Sequence, residues 1–439
     1  MRLSVAVILD AVPGARLACG DAGTVVDGAF VDSRAPRPGA LFVGVVGESL
    51  DGGRFAAAAL RDGAGAAVVG PEAWEAVGHE AAASGRPVIV ADRPLEVLQA
   101  AGLAALRALG APVIAVTGSV GKTTTKDILV AMLRAAGRRA EGTPGNNNTE
   151  VGVPMALMGL PEDTQVAVVE MGMRGTGQIA ELVRLAPPEV ACITGIAPVH
   201  LELLGTMEAV AAAKAEILTG LRPGGTAVVP AGEPLLAPHL AALPAGVHVV
   251  EFDDLDGDVD VDLDKAWQRR NAAAALACCR AIGAAPAPGT RVTVQLSAMR
   301  GQEFGLPGGG VCIEDCYNAN PAAMRAALSD LARRPGRRVA VLGDMFELGP
   351  DAAAFHRGVG ELVAQMGIDL LVAVGDLAAN YVDGAAGVPA VRFADGAEAA
   401  AGIAAVLDPG DVVLVKASRG MALERVTAAL RAHAAGTPA

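Results

Sequence analysis

The chain has 439 residues and is 52% hydrophobic but only 3% aromatic, with 55 glycines and a formal net charge of −13. A length of that order suits about three domains, and cores made of alanine and small aliphatics point to helices packed closely on sheets, an α/β class. The acidic balance excludes nucleic acid or an anionic membrane as partner, because either needs a basic face.

The longest apolar region, 224–250, is broken by Pro230, Pro234, Pro238 and Pro244, so no membrane insertion is expected. The start, Met1-Arg-Leu-Ser-Val, lacks the layout of a signal peptide. Cysteines at 19, 192, 278, 279, 312 and 316 show no C-x-x-C spacing. That pattern fits reduced, mostly buried thiols and a cytoplasmic protein without a zinc site.

Only five of the 35 cationic residues are lysine, at 122, 126, 214, 265 and 416. Where arginine serves as the generic cation, a retained lysine is a candidate for chemistry that arginine cannot perform; Lys126 and Lys265 are set aside as chance. Six of the seven asparagines fall at 146–148, 271, 318 and 320.

Residues 1–90 read as a small α/β unit, with apolar runs 28–31, 40–44 and 66–69 between Gly- and Asp-rich turns. The turns Asp32-Ser33-Arg34 and 47–55 carry hydroxyl, guanidinium and flexible backbone, which by themselves are as consistent with plain turns as with a ligand site.

From 91 to 296 strand and helix alternate, which predicts a parallel sheet covered on both faces, with ligands at the carboxyl ends of its strands. The stretch 113–129 reads as a buried strand, a glycine turn and a helix. Gly118, Ser119, Val120 and Gly121 form a phosphate cradle, Lys122 reaches β/γ-phosphates, Thr123 offers a hydroxyl to Mg²⁺, and Thr124 follows. Val116 replaces the first glycine of the longer motif, leaving the shorter T-G-x-x-G-K-T form.

Next comes 145–154, where Asn146, Asn148 and Thr149 offer uncharged donors and acceptors suited to a diphosphate or sugar. The run 165–170 puts Glu170 at a strand end, where Mg²⁺ needs an oxygen ligand. The run 190–194 leads to His200 on the same rim. A helix is predicted over 207–217, and Lys214 on it, taken alone, reads as a solvated charge beside Glu216.

The third unit, 297–439, holds four apolar runs, at 311–313, 339–342, 370–374 and 412–415, each followed by a helix. Asn320-Pro321 is an N-cap followed by proline at the first helical position. The loops bearing Asn318 and Asn320, Asp344, and Lys416 with Ser418 and Arg419 should share one edge. No G-x-G-x-x-G follows any of these strands.

These motifs together resemble the Mur ligases, nearly end to end. Thr117–Thr125 is similar to the family's ATP loop, 145–148 with 151–154 to its muramoyl-nucleotide loop, and 170–173 to its metal-binding strand end. The segment from Thr194 through His200 to Ile217 is similar to the stretch holding a metal-ligating His and a carbamylated lysine. Asp315–Pro321, Val341–Met345 and Lys416–Arg419 resemble the branch that joins D-alanyl-D-alanine to UDP-N-acetylmuramoyl-tripeptide. Asp32–Arg34 and Asp51-Gly52 resemble a uridine-nucleotide domain.

The resemblance implies three α/β domains: an N-terminal UDP-muramoyl domain, a central P-loop domain, and a Rossmann-like C-terminal domain that closes over the nucleotide. It implies ATP and two Mg²⁺ ions, with Thr123, Glu170, His200 and carbamylated Lys214 as metal ligands. Lys122, Glu170, His200, Lys214 and Lys416 would be catalytic. Asn271, Asn318, Asn320 and Asp344 would join the glycine loop on ATP. Ser33, Arg34, Gly47, Asp51, Asn146, Asn148, Thr149, Ser418 and Arg419 would hold the substrates, and a monomer is expected.

Four departures stand out. The family's G-x-H-N-x-x-N-A is here 265–272, keeping only the last Asn; Pro230–Glu233 replaces an Asn/Asp segment; Thr149 stands where Asn is frequent; and Gln302 stands where Arg is. A folylpolyglutamate-synthetase-like ligase would share the glycine loop and carbamate helix but not the N-terminal domain. An ATP-binding switch would need no acceptor site.

Overall fold

A computed structural model describes residues 1–47, 50–255, 259–263 and 265–436. Glu48 and Ser49, within the predicted turn 47–55, lie outside the described residues. The chain is α/β throughout, with one parallel or mostly parallel sheet in each third of the sequence.

In the N-terminal unit the sheet runs Arg16–Cys19, Val88–Val90, Ala66–Val69, Leu41–Val43, Ala29–Phe30. Only Arg16–Cys19 is antiparallel to its neighbour. Leu41–Val43 and Ala66–Val69 are buried at every residue because both faces are covered. Leu41, Val43 and Val68 face Val97, Leu98 and Ala101 of helix Pro94–Leu109, whereas Phe42, Ala67 and Val69 face Ala56, Leu60 and Ala73. The other side of Pro94–Leu109 meets helix Gly152–Met158. A Cβ at Gly102 would stand 2.7 Å from Pro154 Cα, so glycine lets these two backbones touch.

The central sheet is wholly parallel, in the order His248–Phe252, Thr226–Pro230, Val190–Ile193, Val113–Thr117, Val166–Glu170, Ala140–Gly142. After Val113–Thr117 the chain goes out to the edge at Ala140–Gly142, returns to Val166–Glu170, and crosses to Val190–Ile193 on the opposite side. Strand order therefore switches at Val113–Thr117, and a crevice opens beyond its carboxyl end. Helices Lys122–Ala135 and Ala266–Ala281 cover one face, and Gln178–Leu185 with Met207–Ala215 cover the other.

The C-terminal sheet runs Gln302–Leu306, Gly310–Glu314, Val412–Lys416, Arg338–Gly343, Leu370–Val374, Ala390–Phe393. Its four inner strands are the four apolar runs read from sequence. The first strand, antiparallel, and the last were not anticipated. Both are edge strands of alternating, half-buried residues, so they lack a continuous apolar signal.

The strands of the three sheets fall within 1–90, 91–296 and 297–439, although helix Pro94–Leu109 packs on the first sheet. No described helix is long and apolar enough to cross a membrane. Among the six cysteines, all free, Cys19 alone is partly exposed.

Candidate active site

The glycine turn is shaped by two close approaches. Gly118 has φ 144° and Gly121 φ 81°, and a Cβ at either would collide with a side-chain oxygen, of Thr194 and of Asn271 respectively. Thr194 Oγ1 donates to Thr117 O at 3.1 Å and bonds Val120 O, while Ser119 N donates to Gly195 O at 2.8 Å. The loop is thus fastened to the neighbouring strand end. Helix Lys122–Ala135 starts from Gly121 with no side-chain cap, so its first N–H groups and its positive end face the crevice. Lys122 Nζ curls back onto Gly118 O at 2.7 Å. Burial pushes the Lys122 pKa down and nearby Arg300 adds to this, against the attraction of Glu170.

Glu170 is 1% exposed at the end of its strand. Its Oε1 accepts from Asn148 Nδ2 at 2.8 Å, and its Oε2, though buried, has no hydrogen-bond partner among the described residues. Ser119 Oγ is likewise buried and unpartnered. Lys126 is 3% exposed and donates to Thr143 O at 2.9 Å and Gly145 O at 3.2 Å. It therefore pins the asparagine loop to the phosphate-loop helix, which corrects the expectation that this lysine is incidental. Thr149 Oγ1 accepts from Gly152 N at 3.2 Å and starts the next helix.

Lys214 is not the solvated charge that a lysine on this helix would be by itself: it is 0% exposed and forms no ion pair among the described residues. Its pKa lies well below the ordinary lysine value, chiefly through burial and then through Lys122, with Glu170 and Glu216 opposing. Glu216 is engaged elsewhere, accepting from Gly177 N at 2.5 Å and Ala180 N at 3.0 Å at the start of helix Gln178–Leu185. His200 sits in the left-handed region at φ 54°. Its Nδ1 contacts Glu347, itself left-handed at φ 63°, from the C-terminal unit. Burial lowers the His200 pKa and Glu347 opposes that.

From the C-terminal unit, the turns after Gly310–Glu314 and Val412–Lys416 face the glycine loop across one cavity of about 1060 Å³. Its walls include Ser119–Thr124, Asn146, Asn148, Thr149, Glu170, His200, Asn271, Asn318, Asn320, Lys416, Ser418 and Arg419. Asn320 Oδ1 caps helix Pro321–Leu331 by accepting from Ala323 N at 2.9 Å, as the Asn-Pro pair predicts. Lys416, 3% exposed, donates to Asp315 Oδ2 at 2.7 Å, Asn318 O at 3.0 Å and Asp315 O at 3.4 Å. Its ammonium holds the 315–320 turn rather than aiming freely at a phosphate.

Asp344 departs from expectation. Its carboxylate turns away from the cavity to accept from Asp376 N at 2.9 Å and Leu377 N at 3.2 Å, and it is not part of the cavity wall. Burial raises its pKa. Lys265, also set aside on sequence, is 4% exposed and bonds Gly301 O at 3.2 Å with Glu303 Oε1 3.3 Å away, joining the central and C-terminal units. All five lysines are thus at least half buried.

Ser33, Arg34, Gly47 and Asp51 lie outside this cavity, on the loops that leave the carboxyl ends of the adjacent parallel strands Ala29–Phe30 and Leu41–Val43. Arg34 pairs with Asp32 at 2.8 Å in an exposed turn, and Asp51 Oδ1 caps Gly53 N at 2.8 Å. Glu347 and Arg300 are among the cavity residues that the sequence does not single out. Glu347 follows Met345 by two positions and carried no signal of its own, and Arg300 is hidden among 30 other-than-lysine cations.

As a metal site, no described group of three or more His, Cys, Asp or Glu is close enough to bind an ion by itself. Glu170 Oε2, which accepts no hydrogen bond among the described residues although Lys126 Nζ lies 3.9 Å away, and the Thr123 hydroxyl, which accepts from Arg300 Nη2 at 3.1 Å, are nevertheless hard-oxygen donors of the kind Mg²⁺ takes.

Comparison with known proteins agrees with this geometry. The Mur ligase middle domain matches residues 116–277, and the Mur ligase glutamate ligase domain matches residues 299–419. The chain is 32% identical to the UDP-N-acetylmuramoyl-tripeptide--D-alanyl-D-alanine ligase of Bacillus subtilis, over 92% of this chain and 93% of that one. Among solved structures it resembles MurF from Acinetobacter baumannii, with TM-score 0.83, 26% identity, and 98% and 99% of the two chains covered. MurF from Thermotoga maritima in complex with ADP gives TM-score 0.78 and 28% identity, covering 94% and 98%. A folylpolyglutamate synthase/dihydrofolate synthase from Yersinia pestis is more distant, at TM-score 0.55 and 21% identity over 76% and 93%, and shares the fold alone. The phosphate loop, the asparagine loop and the Tyr317–Pro321 turn therefore stand in a chain that belongs to the Mur ligase family, in its UDP-N-acetylmuramoyl-tripeptide--D-alanyl-D-alanine ligase branch.

Proposed function

We propose that this cavity joins D-alanyl-D-alanine to UDP-N-acetylmuramoyl-tripeptide at the expense of ATP. One observation carries the reading: the glycine loop, the uncharged asparagine loop and the C-terminal Tyr317–Asn320 turn line a single cavity of about 1060 Å³, room for a nucleotide and two further reactants. A nucleotide switch would need only the first of these.

A carboxylate does not acylate an amine at neutral pH until one of its oxygens becomes a leaving group. The terminal carboxylate of the muramoyl-tripeptide attacks the γ-phosphorus of ATP, the bond to the β-bridging oxygen breaks, and ADP leaves. The free amine of the dipeptide then attacks the acyl carbon, phosphate departs, and loss of the amine proton leaves an amide.

The protein's part is positioning and charge neutralisation. Lys122 uncurls from Gly118 O onto phosphoryl oxygens, and the N–H groups from Val120 to Thr124 cradle the phosphates, while that of Ser119 stays on Gly195 O. Asn271 buttresses Gly121 from behind, and Asn318 and Asn320 close the nucleotide side. Asn146, Asn148 and Thr149 bind the muramoyl-nucleotide, while Ser418 and Arg419 meet the dipeptide.

Thr123 with Glu170, and His200 with Glu170 and a carbamylated Lys214, are the residues suited to hold two Mg²⁺ ions, which would neutralise the phosphoryl and carboxylate oxygens. The burial of Lys214 lowers its pKa and so favours the neutral amine, the form that takes up CO₂. Arginine has no such neutral form. Ser33, Arg34, Gly47 and Asp51 form the uridine-nucleotide end, in the 1–90 unit; 91–296 holds ATP, and 297–439 closes over it and binds the dipeptide. The enzyme works as a monomer.

Incubating the protein with ATP, Mg²⁺ and both substrates tests the assignment. ADP release should require both substrates together, and release that ignores either one refutes the reading.

A further inference from the structure

Glu347 reaches the central unit from a turn of the C-terminal unit that is pinned residue by residue. Asp344 accepts from Asp376 N and Leu377 N, Met345 N donates to His356 Nε2 at 2.9 Å, and Phe346 N donates to Ser418 Oγ at 2.9 Å. Beyond Glu347 the backbone of this turn lies against the segment that follows His200. Glu347 O accepts from Glu202 N at 3.4 Å, and a Cβ on Gly349, at φ 70°, would stand 3.4 Å from Glu202 N and Cα. The carboxylate is therefore delivered to a fixed place rather than left to swing.

Two residues with a Cβ meet there in left-handed backbone, one from each unit: His200 at φ 54° and Glu347 at φ 63°. Strain of this kind collects at functional sites. His200 Nδ1 bonds Glu347 Oε2, and Arg174 Nε lies 3.7 Å from the other carboxylate oxygen. A carboxylate only accepts, so Nδ1 carries the hydrogen, and in the neutral ring Nε2 is left with its lone pair. Nε2 forms no hydrogen bond among the described residues. The ring lies near enough to Lys214 and Lys122 for both to disfavour a positive charge on it. An imidazole that binds a metal through one nitrogen commonly gives the N–H of the other to a carboxylate, which fixes its tautomer and its orientation.

We propose that Glu347 is the positioning residue of the metal site: by accepting from Nδ1 it holds His200 in the tautomer that leaves Nε2 for the ion, so the site is complete only while the C-terminal unit is closed on the central one. Thr123, Glu170, His200 and Lys214 all belong to the central unit, and Glu347 is what the C-terminal unit adds. Closure and metal binding then strengthen each other by the same factor. Because Phe346 N is bonded to Ser418 Oγ, the same link extends to the loop assigned to the dipeptide. A plain latch between units would gain nothing from having a ligating histidine as its partner.

This inference rests on His200 as a metal ligand, and its test separates the two. Mn²⁺ would be titrated into the full chain saturated with a non-hydrolysable ATP analogue, for wild type, Glu347→Ala, Glu347→Gln, His200→Ala and the Glu347→Ala/His200→Ala double variant. Electron paramagnetic resonance gives the free Mn²⁺, and its pulsed form gives the nitrogen hyperfine coupling of a metal-bound imidazole. Wild type should show that coupling and His200→Ala should not. Glu347→Ala should weaken Mn²⁺ at this site about 10–100-fold. In the His200→Ala background the same replacement should change Mn²⁺ affinity by less than about twofold. Glu347→Gln, which keeps an acceptor oxygen without the charge, should fall between the alanine variant and wild type, and it decides alone if the alanine variant does not fold. Unchanged Mn²⁺ affinity with full nitrogen coupling in Glu347→Ala, or an equal loss in the His200→Ala background, would reduce Glu347 to an inter-unit latch while His200 stays a ligand. Wild-type protein without the nitrogen coupling would instead overturn the metal reading of His200, and the proposal with it.

Discussion

Replacing Lys214 by methionine separates the cost of a buried charge from its use. The side chain is 0% exposed and has no ion-pair partner among the described residues, and Lys122 is a like-charged neighbour. Folding a neutral amine from a chain that carries it protonated costs up to about 1.4 kcal/mol for each pH unit below 10.5, roughly several kcal/mol near neutral pH, and an apolar side chain of similar shape avoids that cost. Lys214→Met should therefore raise the unfolding free energy by about that amount while turnover falls about 10²-fold or more.

The sign of the pH dependence follows from the lowered pKa. Between the folded value and 10.5, the unfolded chain binds more protons than the folded one. Stability then rises with pH, by up to about 1.4 kcal/mol per unit. The methionine variant should lack this slope. Urea unfolding over a pH series in CO₂-free, Mg²⁺-free buffer measures it, and ADP release with both substrates measures turnover. Lys214→Arg, larger and permanently charged, should lose both stability and ligation, and acetate should partly restore Lys214→Ala by filling the oxygen site. Wild-type turnover in Lys214→Arg, or a destabilised Lys214→Met, would refute the reasoning.

Lys416→Arg should lower stability by about 1–3 kcal/mol as well as turnover, because the added bulk must enter a 3% exposed pocket already filled by Asp315 and Asn318; a urea midpoint equal to wild type contradicts this. Lys126→Met frees the asparagine loop from Thr143 O and Gly145 O and should raise KM for the muramoyl substrate more than it lowers kcat, as read by steady-state kinetics. His356, buried and neutral, accepts from Met345 N through Nε2 at 2.9 Å, and burial lowers its pKa below 6.5. The unfolded state therefore takes up its proton first as pH falls, so stability declines below pH 6.5; His356→Gln should lessen that decline in acid unfolding curves.

Much of the fold was legible because its inner strands are buried on both faces and read as unbroken apolar runs. The edge strands Gln302–Leu306 and Ala390–Phe393 were not, since half-buried alternation over four or five residues resembles loop sequence. The glycine loop, Glu170 and the Asn320 cap were readable because each function is local to its own strand end. What could not be read is which way a polar side chain turns once its loop is placed. Asp344 sits at the expected strand end yet spends its oxygens on Asp376 N and Leu377 N. Lys416 spends its donors on the turn beside it, and Lys126 and Lys265, judged incidental, bind carbonyls 17 and 36 residues away. Scarcity of lysine was the usable signal for these residues, and it was applied to too few of them. Arg300 had none, because an arginine is ordinary in this chain and its importance lies in a partner 177 residues distant.

The acyl phosphate is the central claim, and oxygen transfer tests it most directly. UDP-N-acetylmuramoyl-tripeptide carrying ¹⁸O in both oxygens of its terminal carboxylate would be ligated to D-alanyl-D-alanine, and the released phosphate examined by mass spectrometry. One labelled oxygen should appear in each phosphate, with the other retained in the new amide. Phosphate free of ¹⁸O, released while the amide forms, would contradict the account.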